Sequence, residues 1–402
     1  MSTAAISVRD QSKIQRTPGR DLSIDYLRTI VTLIVLAHHS FLAYTSWAFL
    51  DRQNILSSTA PVVDVTRWGR FDYIENFDNV TLMALMFFVS GLFVYPALRK
   101  YGTSRFIRDR LLRLGVPFVF SVVFLMPIAY YAAWRLMGHD SGFPNFFKQL
   151  AKIGFISGPE WFIWVLLVFD VLFALAIVPL QQWMPTAERF MLKLKDRPFT
   201  TFLGIVFISV LAYLPLRLHY GSGAWVIFFF QAVTVQISRV GLYALWFGLG
   251  FLVGAPGYAE GLLSRSGGLA KHWQLWVLGT AIAYNVLWFA PRWSEAHRFS
   301  HVNQERLVGV LLVVSCTASC FGFLALFRGI EIKPRAWMNS LSRCAYGMYL
   351  VHYVYVLWMQ YLFVNRPMHA TIKFLFVFLA TTLLSWLTVE AALRIPKVKT
   401  IL

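Results

Sequence analysis

The sequence predicts an all-α, polytopic membrane protein of about ten transmembrane helices with both termini cytoplasmic, and three observations carry that prediction. The composition is 58% hydrophobic and 17% aromatic with only 14% charged residues over 402 positions, whereas an ordinary soluble domain carries about 25% charged. Apolar runs of about 20 residues, the helical length that crosses a bilayer core, recur from end to end. Lys and Arg divide unevenly between the connections, 23 on the side of the N-terminus and 12 on the other, and the positive-inside rule puts the richer side in the cytoplasm. The net charge of +18 then reflects cationic loops beside a lipid bilayer, and no nucleic-acid partner is expected.

The runs are 24–47, 80–98, 114–136, 159–180, 200–217, 236–254, 272–290, 303–327, 344–362 and 370–390. Residues 1–20 carry Arg9, Lys13, Arg16 and Arg20 and no cleavable signal, so they read as a cytoplasmic tail ahead of a retained signal anchor. Residues 21–395 form the ten-helix domain and 396–402 a second cytoplasmic tail. The segment 218–236 is the least span-like; Ala224 to Gln236 reads as a re-entrant or amphipathic piece. Cys316, Cys320 and Cys344 lie in or beside apolar runs, so neither a disulfide framework nor a metal site is expected. No Walker loop, dinucleotide fingerprint, HExxH or GxSxG elbow occurs, and no pair of matching broken helices suggests an inverted-repeat transporter.

The first run, IDYLRTIVTLIVLAHHSFLAY, holds Arg28 and His39 eleven residues apart. Eleven residues are three helical turns plus about 20°, so the two side chains share a face, with His39 roughly 16 Å deeper and His38 turned about 100° away. An imidazole at mid-membrane either faces a functional cavity or hydrogen-bonds a neighbouring helix. The 99–113 connection holds Arg105 with Arg108 and Arg110 with Arg113. At i, i+3 on a helix each pair makes either a clamp for phosphates or a topology signal beside anionic lipid. Glu160 and Trp161 open the fourth run at the outer bilayer edge, where Trp serves either an aromatic belt or sugar stacking. Asp170, further in, is a mid-membrane carboxylate that orients His39, pairs with Arg239, or is satisfied by hydroxyls. Tyr349 and His352 share a face of the ninth run; His352 lines the cavity of His39 or is structural. The outer connection 49–79 interleaves Asp64, Asp72, Glu75 and Asp78 with Trp68, Phe71, Tyr73 and Phe77. That pattern suits either a sugar acceptor, aromatic faces against CH faces and carboxylates to hydroxyls, or a lid whose acids pair with Arg67 and Arg70.

In order along the chain, IDYLR with the Arg-x10-His spacing, LMFFVSGLFVYP, RLLRLGVPF, GPEWFIWVLL and LSRCAYGMYLVHYVYV resemble the integral-membrane acyltransferase-3 family. Within it the G-V-P after the arginines and the Glu390-Ala-Ala-Leu-Arg394-Ile-Pro396 tail are most similar to the periplasmic glucan succinyltransferases. The resemblance spans about residues 21–400. It implies that His39 is the catalytic base, that Arg28 is essential, and that Arg110 and Arg113, with Arg105 and Arg108 beside them, serve the acyl donor. No soluble hydrolase-like appendage is present. A donor held by cytoplasmic arginines could extend a pantetheine arm of about 15 to 20 Å to a neutral His39 roughly 16 Å into the bilayer.

The resulting expectation is a multi-pass enzyme of the bacterial inner membrane that moves succinyl or acetyl from acyl-CoA to a hydroxyl of a periplasmic glycan, an osmoregulated glucan first. Acyl-CoA is a co-substrate; no cofactor is held permanently. Two alternatives stand beside it: another acceptor, such as lipopolysaccharide, exopolysaccharide or a small molecule, and a transporter in which His39 and Asp170 relay protons.

Overall fold

The computed structural model describes residues 21–52, 55, 58–229 and 231–401. The expected tail 1–20 lies outside the described residues. Helix α1 (Leu22–Phe41) is followed by a long connection and α2 (Arg70–Gly91). Then come α3 (Val94–Tyr101), α4 (Thr103–Arg110), α5 (Val116–Phe120), α6 (Met126–Leu136) and α7 (Phe143–Ile153). After α8 (Trp161–Leu180), α9 (Met184–Lys193) and α10 (Pro198–Tyr220) a hairpin of β1 (Trp225–Phe228) and β2 (Val233–Gln236) interrupts the helices. The chain ends with α11 (Ile237–Gly254), α12 (Gly268–Lys271), α13 (Trp273–Ala296), α14 (His301–Gly329), α15 (Ala336–Phe363), α16 (Ala370–Ala392) and α17 (Pro396–Ile401).

Among the described residues eight helical segments are long and apolar enough to cross a membrane. Two more of the expected runs fall on α13 and α15, 24 and 28 residues long, whose Trp, Tyr, Asn and Gln content lowers their apolarity. The chain is thus an all-α polytopic membrane protein. The stretch expected as a re-entrant or amphipathic piece, Ala224 to Gln236, is a hairpin: β1 and β2 pair antiparallel, with Trp225 opposite Gln236, while 218–220 end α10. The hairpin is docked on the start of α8, where the Trp164 indole donates to the Thr234 carbonyl at 3.0 Å and Ser157 and Thr234 share a hydroxyl contact at 3.1 Å. The expected C-terminal tail is also structured, since residues 396–401 form α17.

Helices α1 and α15 run parallel, joined near one end by the Tyr26 hydroxyl donating to Asn339 Oδ1 at 2.7 Å and near the other by the Gln360 amide donating to the His39 carbonyl at 2.8 Å. The first of these ends also gathers Asp21, the N-cap of α1, against buried Arg328, and Glu390 of α16 against Ser340 and Arg343 of α15. This basic end carries the 99–113 connection. At the opposite end the long 42–69 connection is tied down by a fully buried ion pair, Lys373 Nζ to Asp64 Oδ2 at 2.7 Å. Among the described residues no ion pair joins Asp64, Asp72, Glu75 or Asp78 to Arg67 or Arg70, the pairs expected of a lid. Asp72 instead accepts from Ser46, and Arg67 donates to the Ser46 and Asp64 carbonyls.

Helices α2 and α11 approach backbone to backbone along a glycine seam. A Cβ built on Gly250 would lie 2.0 Å from the Phe88 carbonyl oxygen, on Gly254 2.1 Å from that of Leu92, and on Gly91 2.2 Å from that of Phe247. Small residues let helices meet this closely where lipid supplies no hydrophobic drive between them. Gly250→Ala is therefore expected to force the helices apart and lower stability by about 1–3 kcal/mol, read by denaturation in detergent micelles; Gly279→Ala, whose Cβ meets nothing within 4 Å, should be near neutral by the same measurement.

Candidate active site

Three cavities follow one another from the basic end inward. The outermost, about 280 Å³, is lined by Tyr101, Arg105, Asp109, Arg110 and Arg113. Arg110 and Arg113 also line the next, about 300 Å³, together with Arg28, Thr32, Val35 and Asp170. Val35, Met83 and Tyr349 line this cavity and the last one, about 130 Å³, which holds His38, His39, Asp78, Asn79, Trp161 and Trp225. One stripe of α1 runs along the last two: Arg28, Thr32, Val35 and His39, spaced i, i+4, i+7 and i+11, fall on one helical face.

The basic segment reaches the bundle because its helix is remade there. Residues 111–115 and 121–125 are π-helical turns on either side of α5, the kind of local widening that often accompanies function. Pro117 has no N–H for the carbonyl four residues back, that of Arg113, and the Tyr346 hydroxyl donates to that oxygen at 2.7 Å. Arg110 Nε sits 3.3 Å from Asp170 Oδ2 and its guanidinium lies over Phe106. Asp170 therefore neither orients His39 nor pairs with Arg239. Arg239 donates instead to the carbonyl and side-chain oxygens of Asn79. Arg105 and Arg108 both flank Asp109 at 3.9 Å, but only Arg105 turns into the outermost cavity, so the expected Arg105–Arg108 pair is split. Among the described residues lining the middle cavity, Arg28, Arg110 and Arg113 face one carboxylate, Asp170, with Asp25 near Arg28 outside the lining; the cationic surplus suits an anionic ligand.

At the inner end His39 Nδ1 lies 3.1 Å from His352 Nε2, and His352 Nδ1 lies 2.5 Å from the Tyr349 carbonyl. His38 turns the other way, its Nδ1 3.4 Å from Asp78 Oδ2. The Tyr349 hydroxyl donates to the Pro159 carbonyl. Glu160, the residue before α8, is fully buried and accepts from the Ser121 hydroxyl at 2.9 Å. Trp161 does reach the inner cavity, edge-on to Trp225 at 5.9 Å. Trp68 and Tyr73 do not. Trp68 packs against Phe71 and His369, and Tyr73 against Tyr284 and Trp288, its hydroxyl donating to Asn285. Trp225, Gln236 and Tyr243 complete the inner wall; the sequence offered for Trp225 only a short apolar segment before a span, and for Gln236 and Tyr243 only a place in the run 236–254. Thr32 and Val35 were within reach of the Arg28–His39 periodicity.

Fold and site together define a polytopic membrane protein with three cavities in series between a basic mouth and a histidine pair held between helices. A family model described as an acyltransferase domain, that of acyltransferase-3, matches residues 21–390, and the chain belongs to that family. No curated protein and no solved structure matches it. The protein is accordingly a multi-pass membrane acyltransferase. On this geometry Trp161→Ala and Trp225→Ala are expected to cut acyl transfer about two- to tenfold, each stacked ring being worth about 0.5–1.5 kcal/mol beyond the area it buries, with normal thermal stability. Trp68→Ala and Tyr73→Ala should lower stability while the folded fraction keeps its activity. Transfer rates and melting curves on the same four preparations check this.

Proposed function

We propose that the protein moves a short acyl group, succinyl or acetyl, from acyl-CoA bound at the basic end to a glycan hydroxyl that enters at the opposite end beside β1 and β2. The observation that carries this reading is the shared walls of the three cavities: Arg110 and Arg113 link the first to the second, and Val35, Met83 and Tyr349 link the second to the third. In it the guanidiniums of Arg105, Arg110 and Arg113 hold the donor's phosphates, Arg28 meets anionic groups deeper in, and the pantetheine arm lies along the α1 stripe. The thioester then stands beside His39.

The chemistry follows from a neutral imidazole at that place. The acceptor hydroxyl gives its proton to His39 as its oxygen bonds to the thioester carbon; the carbon–sulfur bond then breaks and the departing thiolate takes the proton from the histidine. The products are an ester and free CoA. Trp161, Trp225 and Tyr243 offer ring faces to a sugar, while Asn79, Asp78 and Gln236 offer hydrogen bonds. With a periplasmic glucan as acceptor and an inner-membrane location, coenzyme A stays on the cytoplasmic side and only the acyl group crosses.

Two measurements test the two halves. Thiol release from succinyl-CoA and acetyl-CoA, with a glucan oligosaccharide as acceptor, should fall by about 10² to 10⁴ in His39→Ala and far less in His38→Ala; the reverse order would move the base to the His38–Asp78 pair. In the donor half, Arg110→Ala and Arg113→Ala should raise the apparent KM for the acyl-CoA with little change toward the acceptor, and Lys should rescue only partly because a bidentate fork becomes a point charge. An unchanged donor KM in the double variant would leave these arginines a topological role only.

A further inference from the structure

The histidine pair has a direction built into it. His352 Nδ1 lies 2.5 Å from the backbone carbonyl of Tyr349, one turn earlier on the same helix. A carbonyl oxygen only accepts, so His352 Nδ1 carries the proton. A neutral imidazole has one N–H, which leaves His352 Nε2 as a lone pair. That lone pair is 3.1 Å from His39 Nδ1, so His39 Nδ1 is the donor and its proton is spoken for. The only basic atom left on His39 is Nε2. Accessibility agrees: His352 is fully buried whereas His39 is partly open and lines the inner cavity.

We propose that His352 is the positioning residue of the transfer, holding His39 in the Nδ1–H tautomer so that Nε2 is the atom that takes the hydroxyl proton. This rests on the reading of His39 as the base. When His39 Nε2 accepts that proton, its Nδ1–H becomes a charge-assisted donor to the same His352 lone pair, so the contact tightens as charge develops. The proton taken up at Nε2 leaves again with the thiolate sulfur, and His352 keeps its own proton throughout. The constraint comes from a backbone carbonyl and not from a carboxylate. His38 and Tyr353 also flank the His39 ring, at 5.2 and 5.3 Å between centroids, and the Val35 carbonyl one turn back on α1 also lies within hydrogen-bonding reach of it; His352 is the side chain placed to accept from its Nδ1.

The experiment uses full-length protein in detergent micelles, labelled with ¹⁵N at its histidine rings, with the His39 signals identified by their loss in His39→Ala. Long-range proton–nitrogen spectra should show His39 protonated at Nδ1 and bare at Nε2. His352→Phe, which keeps the ring and removes the acceptor, should weaken that preference and lower kcat roughly 10- to 100-fold, by analogy with the partners that orient metal-binding histidines, while the KM for acetyl-CoA stays within about twofold. His352→Gln, whose amide oxygen reaches the same place, should recover most of the lost kcat; a role in packing alone would not be rescued in this way. If His352→Phe fails to fold, the wild-type spectrum and the Gln variant still decide. A wild-type His39 carrying its proton on Nε2, or a folded Phe variant with undiminished kcat, overturns the inference and leaves the base reading standing. Full activity in His39→Ala would instead overturn the base reading itself.

Discussion

One constraint orders this molecule: lipid offers no partner to a polar side chain, and α1 carries Arg28, Thr32, His38 and His39 through it. Each must find a partner, and Thr32 finds it on its own helix, donating to the Arg28 carbonyl at 3.0 Å. His38 is met by Asp78 on α2 and His39 by His352 on α15. Arg28 and Thr32 open onto the middle cavity. The helices around α1 are therefore arranged as much by these polar needs as by packing. The glycine seam between α2 and α11 serves the same end, bringing Met83 and Asp78 on one helix and Tyr243 on the other to the wall of a single small cavity.

The series of cavities is graded along its length. Its mouth is cationic, and the middle cavity still holds more guanidinium than carboxylate. Its inner end is a histidine pair among aromatic rings. Such a gradient draws a polyanion to the mouth and leaves it there, because the inner cavity has little to offer a phosphate. A thin, mostly uncharged arm has no such obstacle. A phosphorylated donor with a long flexible thioester arm matches both parts of that description, which is why the charge distribution and the cavity sequence support the same reading.

Much of this was legible in the residues, for a physical reason. The ten spans are long apolar runs, and each falls on helix, although the run 80–98 is shared by α2 and α3 and the run 114–136 by α5, α6 and the π-helical turns beside α5. The Arg28–His39 face follows from helical periodicity alone. What escaped was set by contacts between elements distant in sequence. Asp170 carries no local mark that its partner is Arg110, over fifty positions earlier, and Trp68 and Tyr73 have the chemistry of a sugar site but face α16 and α13. The two π-helical turns have no period of their own to read. The hairpin at 225–236 was hidden because a short apolar stretch next to a span is equally compatible with helix and strand. His352 was visible as a polar residue on an apolar helix, but its role depends on the carbonyl beside its other nitrogen.

The central claim is that donor and acceptor meet His39 from opposite faces of the membrane. Its most direct measurement is acyl transfer in sealed proteoliposomes of uniform orientation, with radiolabelled acyl-CoA supplied only on the side of Arg110 and Arg113 and an oligosaccharide acceptor enclosed only on the other. The account predicts labelled acceptor in the lumen, with coenzyme A recovered entirely on the donor side and no labelling when His39 is replaced by Ala. Transfer that occurs only when donor and acceptor share one compartment would contradict it.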